Sequence, residues 1–284
     1  MKNIALFLSL LLTTLSFGQT EKKSLLYKIS GNGLTKESYL FGTIHISCDA
    51  TLSEKVVKAL DKTEQLCLEL DMDDPKMQTE MMNKIMMKDG ITIQGMLSEE
   101  DFKIVDAFFQ KQSGLSLKMV NTVKPFALSA MLYPKMLDCE MQSLENELIK
   151  VAKSQNEETI GLETVSEQLA VFDAIPYQAQ VDELIKSAKS DLSRDKKELQ
   201  EMLDLYKTED VEALLAYTEK SDNTMTSGFM DDLLNNRNKN WIEKIEKIIE
   251  HKATFFGVGA AHLGGKNGVL KLLRKKGYKV EAVH

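Results

Sequence analysis

The sequence predicts an α/β (α+β) fold: a mixed central sheet with flanking helices and a helical subdomain inserted at about residues 72–155. Three observations carry this. Strand-like segments lie at both ends and in the middle of the chain; long helical stretches fill the gaps; and no linker rich in Pro, Gly or Ser divides it into separate units.

Taken in order, residues 24–30 and 38–44 are rich in β-branched and aromatic residues and flank the turn former Gly31-Asn32-Gly33, which predicts an opening hairpin. A helix at about 52–62 leads to the apolar strand 64–70, and this β-α-β order predicts parallel pairing. Pro75 is placed to start a helix and Gly90 to end it, Ser98-Glu99-Glu100-Asp101 reads as a capping box, and Pro125 starts a further helix. Strand character returns at 158–162, followed at once by a second capping box, Thr164-Val165-Ser166-Glu167. Helices fill about 164–250. The chain then closes with a β-α-β unit: strand 253–258, helix about 265–275, a Gly277 cap and strand 278–283.

The first twelve residues give one positive charge and then an apolar run too short for a bilayer core of ~30 Å. Ser16 and Gly18 sit where a signal peptidase needs small residues, so residues 1–18 read as a signal peptide cleaved before Gln19; a retained anchor is the alternative. Residues 19–284 are then expected to be a single exported domain, periplasmic or secreted, with no stable membrane anchor after cleavage. Net charge is −7, spread along the chain, which argues against nucleic acid or anionic lipid as the main partner. The three cysteines, Cys48, Cys67 and Cys139, allow at most one internal disulfide; Cys67 reads as a buried apolar filler, and no disulfide is assigned.

Chemistry concentrates in two segments of the same layout. Tyr39-Leu40-Phe41-Gly42-Thr43-Ile44-His45 and Thr254-Phe255-Phe256-Gly257-Val258-Gly259-Ala260-Ala261-His262 each run from an apolar strand into Gly-x-x-His. In an open α/β sheet ligands bind outside the carboxyl ends of the strands, where both histidines fall. Of the four histidines, His251 and His284 lack this context. Glu69 and Glu163 end two other strands. Two imidazoles with one or two carboxylates form a first shell for a divalent ion, and a remaining carboxylate can take a proton from water. The bland readings are a strand-end solvating role for Glu69 and Asp71, and a helix N-terminal role for Glu163. Arg237 lies four residues before Trp241 on a helix whose buried side is marked by Leu233, Leu234, Trp241, Ile242, Ile245 and Ile249. An arginine there pairs with a carboxylate, either at a reacting centre or in a structural ion pair. Met72, Met77, Met81, Met82, Met86 and Met87 read first as core filler and second as an adaptable apolar binding surface. No Gly-x-Ser-x-Gly elbow, His-Glu-x-x-His helix, Walker loop or Cys-x-x-Cys pair occurs.

Gly42-Thr43-Ile44-His45, the Glu69-Leu70-Asp71 strand end, Gly161-Leu162-Glu163-Thr164 with Glu167-Gln168, Arg237-Asn238-x-x-Trp241, and Gly257-Val258-Gly259-Ala260-Ala261-His262-Leu263-x-Gly265 together resemble the TraB/GumN family, which includes the Tiki metalloproteases. The resemblance covers nearly the whole of the expected mature chain. It implies a metal-dependent hydrolase, with Mn²⁺ or Co²⁺ suspected and Zn²⁺ as the alternative, acting on a peptide or protein substrate. It further implies that His45, His262 and Glu69 are metal ligands and that Glu69, Glu163 and Arg237 serve catalysis. A protein that binds a peptide, metal or cofactor in the same cleft without turnover is the rival reading. A glycan hydrolase using Glu69 and Glu163 is a third.

Overall fold

A computed structural model of the chain describes residues 23–284; the expected signal peptide at 1–18 and its cleavage point before Gln19 lie outside the described residues. The fold is α/β, with one mixed six-stranded sheet and helices packed against it. The strands are β1 (Leu26–Ser30), β2 (Ser38–Thr43), β3 (Gln65–Leu70), β4 (Glu158–Glu163), β5 (Thr254–Gly259) and β6 (Lys279–Ala282). Their order across the sheet is β4-β3-β5-β2-β1-β6. The first four in that order run parallel, whereas β1 is antiparallel to β2 and to β6.

The opening hairpin forms as the Gly31-Asn32-Gly33 turn predicts, with Leu26 opposite Phe41. The parallel relation of β2 and β3 also holds, but they are not neighbours: β5, from the far end of the chain, inserts between them, pairing Phe41 with Gly257 on one side and Leu68 with Gly257 on the other. Strands in such a position are covered on both faces, which is why β2, β3 and β5 read as nearly continuous apolar runs rather than as alternation. Helix starts follow local chemistry. Ser98 accepts from the Asp101 backbone N–H at the start of helix Glu99–Ser113, Pro125 opens helix Pro125–Ala130, and Thr164 and Glu167 form a full capping box on helix Val165–Asp173.

Two apolar cores result. The first lies on the sheet and takes in Trp241, Ile242, Ile245 and Ile249 of helix Asn236–His251, as their spacing predicts, with Leu148 and Ala152 of helix Leu144–Ser154. The second is helical. It packs Phe102, Val105 and Phe109 of the segment between β3 and β4 against Val181, Leu184 and Ala188 of helix Tyr177–Lys189. Of the methionine cluster only Met87 is buried; Met82 is 60 % exposed and Met86 42 %, so core filling is not the main use of this group.

Cys48 and Cys139 form a disulfide, which sequence reading does not assign because an odd cysteine count leaves the pairing open and the partners are 91 positions apart. Cys67 is free and fully buried in β3, its thiol pushed up by burial, in keeping with an inert apolar filler. Among the described residues no helix is long and apolar enough to cross a membrane.

Candidate functional site

All four parallel strands end at one edge of the sheet, and each delivers one of the expected residues there. β2 leads through Thr43 to His45, β3 carries Glu69 one residue before its end, β4 ends on Glu163, and β5 runs through Gly259 into the short turn Ala260–His262. The glycines allow the close approach. A Cβ on Gly42 would lie 2.8 Å from Leu263 Cδ1 and 3.1 Å from Ala260 Cα, so only glycine lets the His262 turn pack onto β2. A Cβ on Gly259 would lie 3.4 Å from Glu69 Oε1, 3.5 Å from His262 Cδ2 and 3.7 Å from His45 Nε2. His45 Nε2, Glu69 Oε1 and the Cδ2 edge of His262 therefore lie around the Gly259 backbone, brought from segments more than two hundred positions apart.

Arg237 ties the cluster together. Its Nη2 donates to Glu69 Oε2 (2.6 Å) and Glu163 Oε2 (2.8 Å), and its Nε to both Glu163 oxygens (3.0 and 3.1 Å). Nη1 donates to the Leu233 carbonyl (3.0 Å) and to His262 Nε2 (3.2 Å). Leu233 lies in the π-helical turn Asp231–Asn235 that precedes helix Asn236–His251. The guanidinium carbon also sits 4.9 Å from the Trp241 ring centroid, the shared face that their spacing predicts, and Trp241 packs 4.4 Å from the His262 ring. Glu69 takes two more hydrogen bonds, from the Gly259 N–H (2.8 Å) and from Gln168 Nε2 (3.2 Å).

The two histidines are held by different partners. His262 is 4 % exposed, and its Nδ1 lies 2.6 Å from Asn238 Oδ1, while Asn238 Nδ2 donates to the carbonyls of His262 and Asn267. That orientation leaves Nδ1 as the ring donor and Nε2 as an acceptor for Arg237. Burial is the main reason its pKa is lowered to about 3; nearby Arg237 and His45 push the same way, and Glu69 opposes them. His45 stands at the rim, with 64 % of its side chain exposed, and its Nδ1 lies 2.7 Å from Glu145 Oε1. The protein crowded around the ring lowers its pKa, but the Glu145 hydrogen bond and the charges of Glu69 and Glu145 outweigh this and raise it to about 9. Burial opposes the charge on Glu69, yet the neighbouring His262, Arg237 and His45 and the Gly259 N–H hold its carboxyl at about 2. Since His262 is itself neutral at pH 7, Arg237 and His45 are the cations that keep Glu69 ionised.

Two residues escape sequence reading. Glu145, 4 % exposed at the start of helix Leu144–Ser154, has no motif around it; its role comes only from the fold, which brings the Cys48–Cys139 disulfide and the Ser47–Gln142 backbone bridge beside the His45–Glu145 pair. Asn238 was within reach, because it follows Arg237 and is 2 % exposed on the face that buries Trp241.

The donor set suits a divalent ion in kind. Both rings have Nδ1 anchored by an acceptor, the arrangement that orients a metal-binding imidazole, and Glu69 offers a charged oxygen. In position the set is incomplete: among the described residues no group of three His, Cys, Asp or Glu side chains closes on one point. Arg237 accounts for this, because it already holds His262 Nε2 and Glu69 Oε2. A cavity of about 450 Å³ opens from His45, Glu69 and Arg237 past Met81, Phe126 and Phe172. A larger groove of about 680 Å³ elsewhere, lined by Lys23, Tyr27 and Arg274 among others, reaches none of the cluster residues.

No curated protein and no solved structure is significantly similar to the chain. The model of one protein family, TraB/PrgY/gumN, matches residues 25–282, which takes in every strand and every residue of the cluster. On that match the chain belongs to the TraB/PrgY/gumN family.

Proposed function

We propose that this protein is an exported hydrolase of the metal-dependent kind, with peptides as its substrate class. The observation that carries this reading is that His45 Nε2, Glu69 Oε1 and the His262 ring all gather around the Gly259 backbone, with His45 and Glu69 at the mouth of a cavity. His45, His262 and Glu69 would hold the ion, which supplies Lewis acidity to a scissile carbonyl and to an attacking water. The other roles follow from the chain itself. Glu145 and Asn238 fix the ring orientations through Nδ1. Arg237 helps keep the buried Glu69 ionised, pairs with Glu163, and offers its guanidinium to an oxyanion developing in the cavity. Phe126 and Phe172 give that cavity apolar surface beside its polar groups.

Purified protein is assayed against a peptide library with added Mn²⁺ or Co²⁺ and with chelator. The reading expects metal-dependent cleavage that a His45→Ala, His262→Ala double variant loses; chelator-insensitive cleavage that survives in the double variant contradicts it. One observation favours a second reading, capture of a ligand without turnover: Arg237 satisfies Glu69, Glu163 and His262 with no ligand needed. Tight binding with no product in the same assay would select it. The glycosidase alternative has less support, because its general acid needs a raised carboxyl, whereas that of Glu69 is lowered to about 2 and both glutamates share one guanidinium nitrogen.

A further inference from the structure

Glu167 and Gln168 are neighbours in the sequence; Glu167 completes the capping box of helix Val165–Asp173, and Gln168 has no part in it. The box nevertheless fixes where Gln168 sits. Lys244 secures it from outside, donating to Glu167 Oε1 (3.1 Å) and to the Leu162 carbonyl (2.8 Å), so the end of β4 and the first turn of the helix are held as one piece. Gln168 follows in that turn and lines the cavity with His45 and Glu69, and Phe172 lies one helical turn further along the same face. Its Nε2 donates to Glu69 Oε2 (3.2 Å). An ionised carboxylate can only accept, so the amide is fixed with its NH2 group toward Glu69 and its oxygen away. Glu69 already accepts from Arg237 Nη2 and from the Gly259 N–H, and does not need this bond to be satisfied. Gln168 Oε1 is in the opposite state: among the described residues no donor reaches it, and it is not sealed from solvent. The result is an acceptor of set direction at the mouth of the cavity. A peptide backbone brings one N–H donor per residue, and each must find an acceptor when it leaves water.

We infer that Gln168 is a substrate-positioning residue: its Oε1 accepts one backbone N–H of a bound peptide while its Nε2 keeps hold of Glu69. The inference rests on the hydrolytic reading for its substrate class and adds a fixed point to it. One N–H of the peptide is tied, through a single side chain, to the carboxylate beside His45, and this sets which peptide bond lies at the cluster.

The test is a binding measurement that needs no turnover. The full chain carrying methyl-¹³C methionine is titrated with acetyl-Ala-Ala-Phe-Ala-Ala-amide and with the series in which each internal N–H in turn is replaced by an ester oxygen; Met81, Met136 and Met225 line the cavity, and Met119, 75 % exposed and outside it, is the control. The inference expects one ester position at which Kd rises about fivefold or more in the wild type. In Gln168→Leu the parent peptide should bind about as weakly as that ester binds the wild type, and the ester should cost nothing further. A merely structural role for Gln168 would weaken the whole series alike and leave the position dependence in place. No shift at the cavity methyls, a series without such a position, or a dependence that survives in Gln168→Leu overturns the inference. If that variant does not fold, ¹³Cδ-glutamine labelling of the wild type decides: the Gln168 carbonyl resonance should move with the parent peptide and not with the critical ester, and equal movement with both overturns it. The same peptides are assayed for cleavage with Mn²⁺ in parallel; position-dependent binding with no cleavage retains the inference and overturns the hydrolytic reading.

Discussion

His45 and His262 end the same four-residue layout, Gly42-Thr43-Ile44-His45 and Gly259-Ala260-Ala261-His262, on strands that lie side by side in the sheet. Their chemistry is nevertheless opposite. His45 stands open at the cavity rim against a carboxylate and is a cation at neutral pH, whereas His262 is sealed between Trp241, Asn238 and Arg237 and is neutral. The difference lies in what meets Nδ1 and how much water reaches the ring, neither of which a motif encodes. An anionic acceptor stabilises imidazolium; a neutral amide in a buried place does not.

The largest test of this contrast is on its shared partner. Arg237→Met leaves Glu163 buried without its cation and Glu69 with His45 alone, and should lower unfolding free energy by roughly 3–5 kcal/mol in a urea titration. Adding Glu69→Gln and Glu163→Gln should recover part of the loss.

Next in size, reducing the Cys48–Cys139 bond should cost roughly 2–4 kcal/mol in the same titration, since it closes a loop spanning 91 positions. Both half-cystines are exposed, and the bond ties the His45 loop to the segment before Glu145. Reduction should therefore move the His45 titration toward its ordinary value and leave His262 where it was, as read by histidine NMR.

Glu145→Gln isolates the electrostatic part. With Glu145 present, the folded pKa of His45, about 9, lies above its ordinary value of 6.5, so its stabilising contribution is complete below pH 6.5 and is lost as pH rises through 9. Glu145, lowered to about 2 from 4.5, contributes above pH 4.5 and loses this as pH falls through 2. The pair thus favours the folded state most between about pH 4.5 and 6.5. Stability measured from pH 6.5 to 9 should decline less in Glu145→Gln than in the wild type. The smallest expected effect is Asn238→Asp, which gives His262 an anionic partner like that of His45; its pKa should rise from about 3 by one unit or more.

The sequence made the strand-end residues legible because strand, glycine and histidine are local features, and an open sheet sends every parallel strand to the same edge. It also gave the Arg237–Trp241 face, which helical spacing alone sets. It could not give the insertion of β5 between β2 and β3, nor Glu145 beside His45, because both depend on contacts between segments far apart in the chain. The exclusive grip of Arg237 on His262 Nε2 was equally out of reach, since it needs a side-chain direction and not a spacing.

Two imidazoles sharing one ion is the claim most directly open to measurement. Protein labelled with ¹⁵N histidine is titrated with Mn²⁺ at pH 7 to 9, where His45 gives up its proton. The account predicts that the Nε2 resonances of His45 and His262 broaden together, at one ion per chain, while His251 and His284 stay sharp. Broadening of His251 or His284 alone, or of either site histidine without the other, contradicts it.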